Sequence, residues 1–370
     1  MSSSGSNIRQ LSRIAIGDIG SNDYRDRWPH SYGRIVQLLA KLRIDSFMLG
    51  ILASVALAAL LPARGTAAEA LGWATKIAIA VLFLLYGARL EPREAVAGLR
   101  HWRLHSCVLA ATFVLFPLLG LALRVLVPSV LTPDLYTGVL FLCLVPSTVQ
   151  SSIAFTSMAR GNVAGAVVSA SLSNLIGVFA TPLLVMALMN TTAGVHVSPS
   201  ALLAIVAQLL LPFLAGQLLR PRLGWVLGHP AATKAVDRGS VYLVVYAAFS
   251  AGMTEGIWHG LSARVLISTV LVCAALLAIV LTATSVSSRL LGFSRTDGIV
   301  VTFCGSKKSL ATGLPMASVL FAGHPVGLIV LPLMLFHQIQ LFTCAALAQR
   351  YARRADRAEA ELPSGAAELV

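Results

Sequence analysis

Apolar residues run along this chain in long blocks separated by short polar connections. Ten blocks are long enough to cross a hydrocarbon core of about 30 Å, a distance that takes about 20 helical residues. They cover 44–61, 72–88, 106–127, 136–159, 163–189, 200–219, 240–257, 265–287, 298–321 and 325–348. Lipid leaves an exposed peptide group unpaired, so a spanning segment is a helix or a strand of a closed barrel, and barrel strands are about half this length. The pattern therefore predicts an all-α integral membrane protein of ten transmembrane helices, with polar tails at 1–43 and 349–370. The end of the first tail, YGRIVQLLAKLRI (32–44), reads as a short amphipathic approach along the membrane surface.

Two blocks are interrupted. The fourth carries VPSTVQSS (145–152), where Pro146 removes a backbone donor and Ser147, Thr148, Gln150, Ser151 and Ser152 follow within six positions. The ninth carries CGSKKS (304–309), in which Gly305, Ser306, Lys307, Lys308 and Ser309 replace the apolar run. From Asp134 to Pro146, and from Asp297 to Lys307, helical rise covers about 15 to 18 Å, near half a bilayer. Both breaks are thus expected at the midplane. Ten helices divide into a first five-helix repeat, 44–189, and a second, 200–348. The interrupted helix is fourth in each and runs in the opposite direction, which is the layout of an inverted repeat. Paired discontinuous helices of this kind point to the binding site of a secondary transporter.

Composition agrees with the pattern: 57% of residues are hydrophobic, 12% are charged and the mean hydropathy is +0.81. The net charge of +13 raises nucleic acid as a partner, but the placement of the basic residues argues for the lipid bilayer instead. Of 28 Lys and Arg, 22 fall in the two tails and the even-to-odd connections, and only Arg64, Arg124 and Arg264 fall on the opposite side. The positive-inside rule then puts both termini in the cytoplasm. The five cysteines lie within apolar blocks and show no metal-ligand spacing, so neither disulfides nor a metal site nor an organic cofactor is implied.

Lys307 and Lys308 are the chemistry the pattern leaves unexplained. Lys307 is ten residues from Asp297, too deep to reach the interface easily. No Asp or Glu lies deep in any block, so the partner is a set of backbone carbonyls, hydroxyls such as those of Ser151 and Ser152, water or an anionic ligand. Asn174, with Ser169, Ser171 and Ser173, sits in the fifth block near the break. It is either a ligand or part of a packing face. Glu255 marks the end of the seventh block, where an interface carboxylate is the ordinary reading; His337, with Gln338 and Gln340, forms a candidate polar network in the tenth.

Several stretches together resemble the bile acid:sodium symporter superfamily, and in particular its divergent branch with a Lys-Ser pair in the ninth span. They are FLLYGARLEPREA (83–95), TFVLFPLLG (112–120), VPSTVQSS and ARGNVAGAVVSAS (145–171), TPLL (181–184) and FCGSKKSLATGLPMA (303–317), within a resemblance over about 35–355. The resemblance implies two inverted five-helix repeats, a core domain in which helices 4 and 9 cross, and a panel domain of helices 1, 2, 6 and 7. It also implies transport of a small organic anion, usually with sodium, by alternating access. Family ion-ligand positions fall on Ser151 and Ser152, which keep oxygen, but also on Thr112, Ala166, Ala170, Phe303 and Lys307. Sodium is a hard cation that takes oxygen ligands, so these changes disfavour it. Two roles stay open for the lysines: standing in for the ion at half-helix carbonyl ends, or binding the anionic end of a substrate.

The competing classes fit less well. There is no H-E-x-x-H, G-x-S-x-G or phosphate-loop motif for an enzyme, and no charged ring for a channel. A regulatory or scaffold membrane protein that kept a transporter fold without transport is the alternative, and it predicts no flux and tolerance of changes at both breaks.

Overall fold

The computed structural model of the chain describes residues 46–89, 101–192, 199–256 and 262–360. The chain divides at Leu52, and the second unit, Ala53–Val370, holds every described residue except 46–52. All regular structure among the described residues is helical. In chain order the helices are α1 (Ser46–Leu60), α2 (Thr66–Arg89), α3 (Trp102–Leu126), α4 (Pro133–Leu144), α5 (Gln150–Met158) and α6 (Val163–Thr192). They continue with α7 (Pro199–Leu219), a one-turn helix at Gly224–Leu227, α8 (Pro230–Thr254), α9 (Ala263–Leu290), α10 (Arg295–Gly305), α11 (Leu310–Leu320) and α12 (Val326–Ala360).

Five of the described helices are each long and apolar enough to cross a membrane: α2, α3, α6 through Met189, α9 and α12 through Ala355. The fourth and ninth expected spans fall below that length because each is two short helices, α4 with α5 and α10 with α11. The seventh starts earlier than expected, at Pro230, with Thr233, Lys234 and Asp237 in its first two turns. The tail at 1–43 and residues 361–370 lie outside the described residues, whereas 349–360 continue α12 as helix.

Packing follows from small residues at close crossings. α2 lies against α7 and α8. A Cβ on Gly87 of α2 would collide with the carbonyl of Phe213, and one on Gly216 of α7 with the carbonyl of Leu84, so only glycine admits this approach. Arg89 ties α2 to α8 through Asp237 at 2.7 Å. Around the breaks, α3 packs on α6 and α10, α4 on α12, α9 on α10 and α12, and α11 on α8 and α12. This second group encloses the two interruptions in a buried shell that includes Phe116, Phe141, Phe303 and Phe336, none of which is exposed.

The breaks are narrower than the sequence suggests. α5 already begins at Gln150, so Ser151 and Ser152 are helical, and Gly305 is the last residue of α10. Polar side chains suit a first turn, whose N–H groups need partners. Gly305 has a packing reason instead: a Cβ there would sit 3.1 Å from Ala111 Cβ and 3.2 Å from Thr284 Cγ2. α3, which the sequence reads as uninterrupted, contains a π-helical turn at Ala111–Leu115 just before Pro117.

Candidate functional site

A helix that stops inside a hydrophobic layer leaves its last carbonyls without partners, and each must be satisfied. At the end of α4 five successive carbonyls are accounted for. Cys143 and Val145 accept from Lys308 Nζ at 2.9 and 2.8 Å, and Leu144 accepts from Thr181 Oγ1 at 2.9 Å. Pro146 accepts from the Ser309 N–H at 2.8 Å, and Ser147 from Asn174 Nδ2 at 2.7 Å. The Ser147 N–H, which in a continued helix would reach Cys143, donates to Ser173 Oγ at 3.0 Å.

The end of α10 is closed from the other break. Ser147 Oγ donates to Cys304 O at 2.6 Å and Ser152 Oγ to Phe303 O at 3.4 Å, while Ser306 Oγ turns back to Thr302 O at 2.6 Å. Ser309 Oγ caps α11 by accepting from Thr312 N at 3.2 Å. Thr312 Oγ1 in turn donates to Asn174 Oδ1 at 2.9 Å, so Asn174 joins the two interruptions. On the far side Gln340 pairs with the backbone of Lys308, its Oε1 accepting from the N–H and its Nε2 donating to the carbonyl, both at 2.9 Å. Gln340 Nε2 also lies 2.8 Å from His337 Nδ1.

Lys308 is fully buried, and all three of its ammonium protons reach carbonyl oxygens: Thr112 at 2.9 Å in addition to Cys143 and Val145. The Phe116 ring covers the ammonium at 4.1 Å. The Thr112 carbonyl is free for a reason visible in α3. In the π-helical turn the Phe116 N–H bonds back to Ala111 O rather than to Thr112. The next donor in register would be residue 117, which is proline and has none. One freed carbonyl from α3 and two from the end of α4 therefore form a cage of three oxygens, at the negative end of a half-helix where a cation is favoured. Among the described residues no carboxylate shares the cage.

Lys307 is equally buried but differently held. Its Nζ donates to Ser151 O at 2.7 Å and stands 3.9 Å from the Phe155 ring centroid and 5.5 Å from that of Phe303. No second oxygen among the described residues accepts from it. One lysine is thus saturated by oxygen, and its neighbour retains donor capacity.

The structure brings Ser147, Ser152, Asn174, Lys307, Lys308 and Ser309 into one buried polar knot with the carbonyls of Thr112 and Ser151. Thr148 joins its edge, accepting from Ser151 Oγ at 3.3 Å. His337 reaches the knot through Gln340, and Gly305 and Ser306 complete the α10 terminus. Gln150 is exposed at the start of α5, and Glu255 is exposed at the end of α8, away from the knot. Ala166 and Ala170 are buried without a side-chain oxygen to offer, and Phe303 supplies a ring and a carbonyl. The site residues that the sequence does not single out are Thr181, Phe116 and Phe155, whose types are ordinary in an apolar block; Gln340, grouped with His337 as a candidate polar network, clamps the Lys308 backbone.

The described residues contain no cluster of three or more His, Cys, Asp or Glu fit for a metal ion. What they offer a hard cation is oxygen from carbonyls and hydroxyls, and in the best of these positions an ammonium already stands.

A family model described as the SBF-like CPA transporter family matches residues 45–353. A protein of Pseudomonas aeruginosa named only as uncharacterized is 54% identical over 319 residues, covering 86% of this chain and 96% of its own. A protein of Escherichia coli (strain K12) with the name "Putative symporter YfeH" is 47% identical over 324 residues, covering 87% of this chain and 97% of its own. Sodium/bile acid cotransporter 7 of Rattus norvegicus is 26% identical over 319 residues, covering 84% and 94%.

Proposed function

The chain belongs to the SBF-like CPA transporter family, and from that premise we propose that it moves a small, bile-acid-like organic anion by alternating access, with a lysine ammonium in place of a coupling sodium ion. Family and relatives make it a membrane transport protein rather than an enzyme. In the proposed architecture ten spans form two inverted five-helix repeats. α2, α7 and α8 belong to the panel, and α3 to α6 with α9 to α12 form a core in which the α4–α5 and α10–α11 pairs cross. Two corresponding clamps support the repeat. In each half, the helix after the interruption sends one amide side chain back to it: Asn174 of α6 to Ser147, and Gln340 of α12 to Lys308.

The single observation that carries the coupling proposal is the Lys308 cage. A sodium ion would need the same oxygens, and Thr112 and Ser151 stand at positions where the family resemblance puts ion ligands. Lys308 occupies the carbonyl of the first and Lys307 that of the second. Lys308, with every proton spent, serves as the fixed cation. Lys307, with donors to spare, is the group assigned to the anionic end of the solute once the shell opens.

The test is uptake of radiolabelled taurocholate into proteoliposomes containing the full chain. Uptake by the native protein is expected to be the same with sodium or potassium outside, and to be lost in Lys307→Met. Uptake that requires an inward sodium gradient would overturn the coupling proposal, and absence of uptake under every cation would remove the bile-acid-like substrate.

A further inference from the structure

Where the end of α9 and the start of α10 meet the later turns of α12, the chain forms a cleft of about 270 Å³ that the transport reading leaves without a use. Three arginines line it: Arg289 in the last turn of α9, Arg295 in the first turn of α10 and Arg354 on α12. No Asp or Glu is in the lining among the described residues. The nearby Asp297 faces an adjoining cleft with His101 and Arg103, and accepts from Asn162 Nδ2 at 2.8 Å. Arg295 is steadied by one hydrogen bond from Nη2 to Tyr351 O at 2.8 Å, which leaves most of its five donors free. Arg289 and Arg354 make no side-chain hydrogen bond or ion pair among the described residues. Three guanidinium groups with no counter-charge in the cleft among the described residues make it a site for an anion, and the fork geometry of arginine fits phosphate oxygens.

We propose that this cleft holds the phosphate of an anionic phospholipid, drawn from the surrounding bilayer. Two features favour a lipid over a soluble phosphate. The cleft lies where the apolar run of α9 ends, Ala263–Leu290, which is the level of a headgroup. Ile279, Val286 and Leu290 also lie along one face of that helix at spacings of seven and four, and all three are exposed, so an apolar stripe leads away from the arginines for acyl chains to follow. A headgroup in the cleft would join the ends of the two-part α10–α11 segment and of α12, tying lipid composition to the elements that carry the lysines.

The test uses delipidated, full-length protein in detergent, followed by native mass spectrometry during titration with dioleoylphosphatidylglycerol or dioleoylphosphatidylcholine. Variants are Arg289→Gln, Arg354→Gln and the pair, with Arg222→Gln as an exposed arginine outside the cleft. Phosphatidylglycerol is expected to bind the native protein and Arg222→Gln alike. Each cleft variant should weaken it about fivefold and the pair roughly 25-fold, as the loss of one basic contact per site implies. Phosphatidylcholine should bind weakly to all, and millimolar inorganic phosphate should leave bound phosphatidylglycerol in place. Equal phosphatidylglycerol binding by the pair variant, or equal binding of phosphatidylcholine, would overturn the site. Displacement by inorganic phosphate would overturn the lipid in favour of a soluble anion.

Discussion

Replacing Lys308 with alanine separates two effects that the native side chain combines. The carbonyls of Thr112, Cys143 and Val145, at 2.8 to 2.9 Å from Nζ, lose their donor together. A buried acceptor left unpaired costs about 1 to 3 kcal/mol, so the gross loss is about 3 to 9 kcal/mol. Against it, the cost of burying an ammonium disappears, which is itself several kcal/mol. The net destabilisation is the difference, expected to be about 1 to 4 kcal/mol, less than for a broken buried ion pair because no uncompensated charge stays behind. Alanine also leaves room and three oxygens, so the variant should gain what the native protein lacks, a response to sodium. With free sodium about tenfold above its dissociation constant, recovery is about 1.4 kcal/mol. The assay is thermal unfolding in detergent with sodium exchanged for potassium at constant ionic strength. Lys308→Met, which fills the space with an apolar chain, should be destabilised without any sodium response. Unchanged stability of Lys308→Ala in potassium, or no difference between the two cations, would refute the reasoning.

Other expectations follow from the same contacts. Gln340→Ala leaves the Lys308 N–H and carbonyl unpaired in a buried setting and should cost about 2 to 4 kcal/mol in thermal unfolding, whereas Gln340→Glu, which keeps only the acceptor, should lose about half as much. Pro117→Ala supplies the missing backbone donor near Thr112, so its effect should be non-additive with Lys308→Ala by about 1 kcal/mol in a double-mutant cycle. Gly87→Ala and Gly216→Ala put a Cβ into opposing backbone and should each destabilise by about 1 to 3 kcal/mol or more, while Gly239→Ala, which meets nothing within 4 Å, should be neutral or stabilising.

The two interruptions are readable in the sequence because proline and runs of hydroxyls are rare in an apolar block, and because their rank and depth match. The lysines are conspicuous for the same reason, and with no carboxylate in reach, carbonyls stood among their few available partners. The division of labour between Lys307 and Lys308 is not readable. It depends on the π-helical turn in α3, which sets Thr112 O free, and Pro117 alone looks like any other proline in a spanning helix. The clamp by Gln340 depends on α12 passing the second break at the right height, which no local pattern encodes. The breaks are narrower than composition implies because Ser151 and Ser152 look like loop residues yet serve in the first turn of α5.

On the proposal above, an ammonium fills the cation position of this transporter. Equilibrium binding of radioactive sodium to the purified native chain tests it most directly, with Lys308→Ala measured in parallel. The account predicts no saturable sodium binding by the native protein and a saturable site in the variant; saturable binding of sodium by the native protein, near one ion per chain, would contradict it.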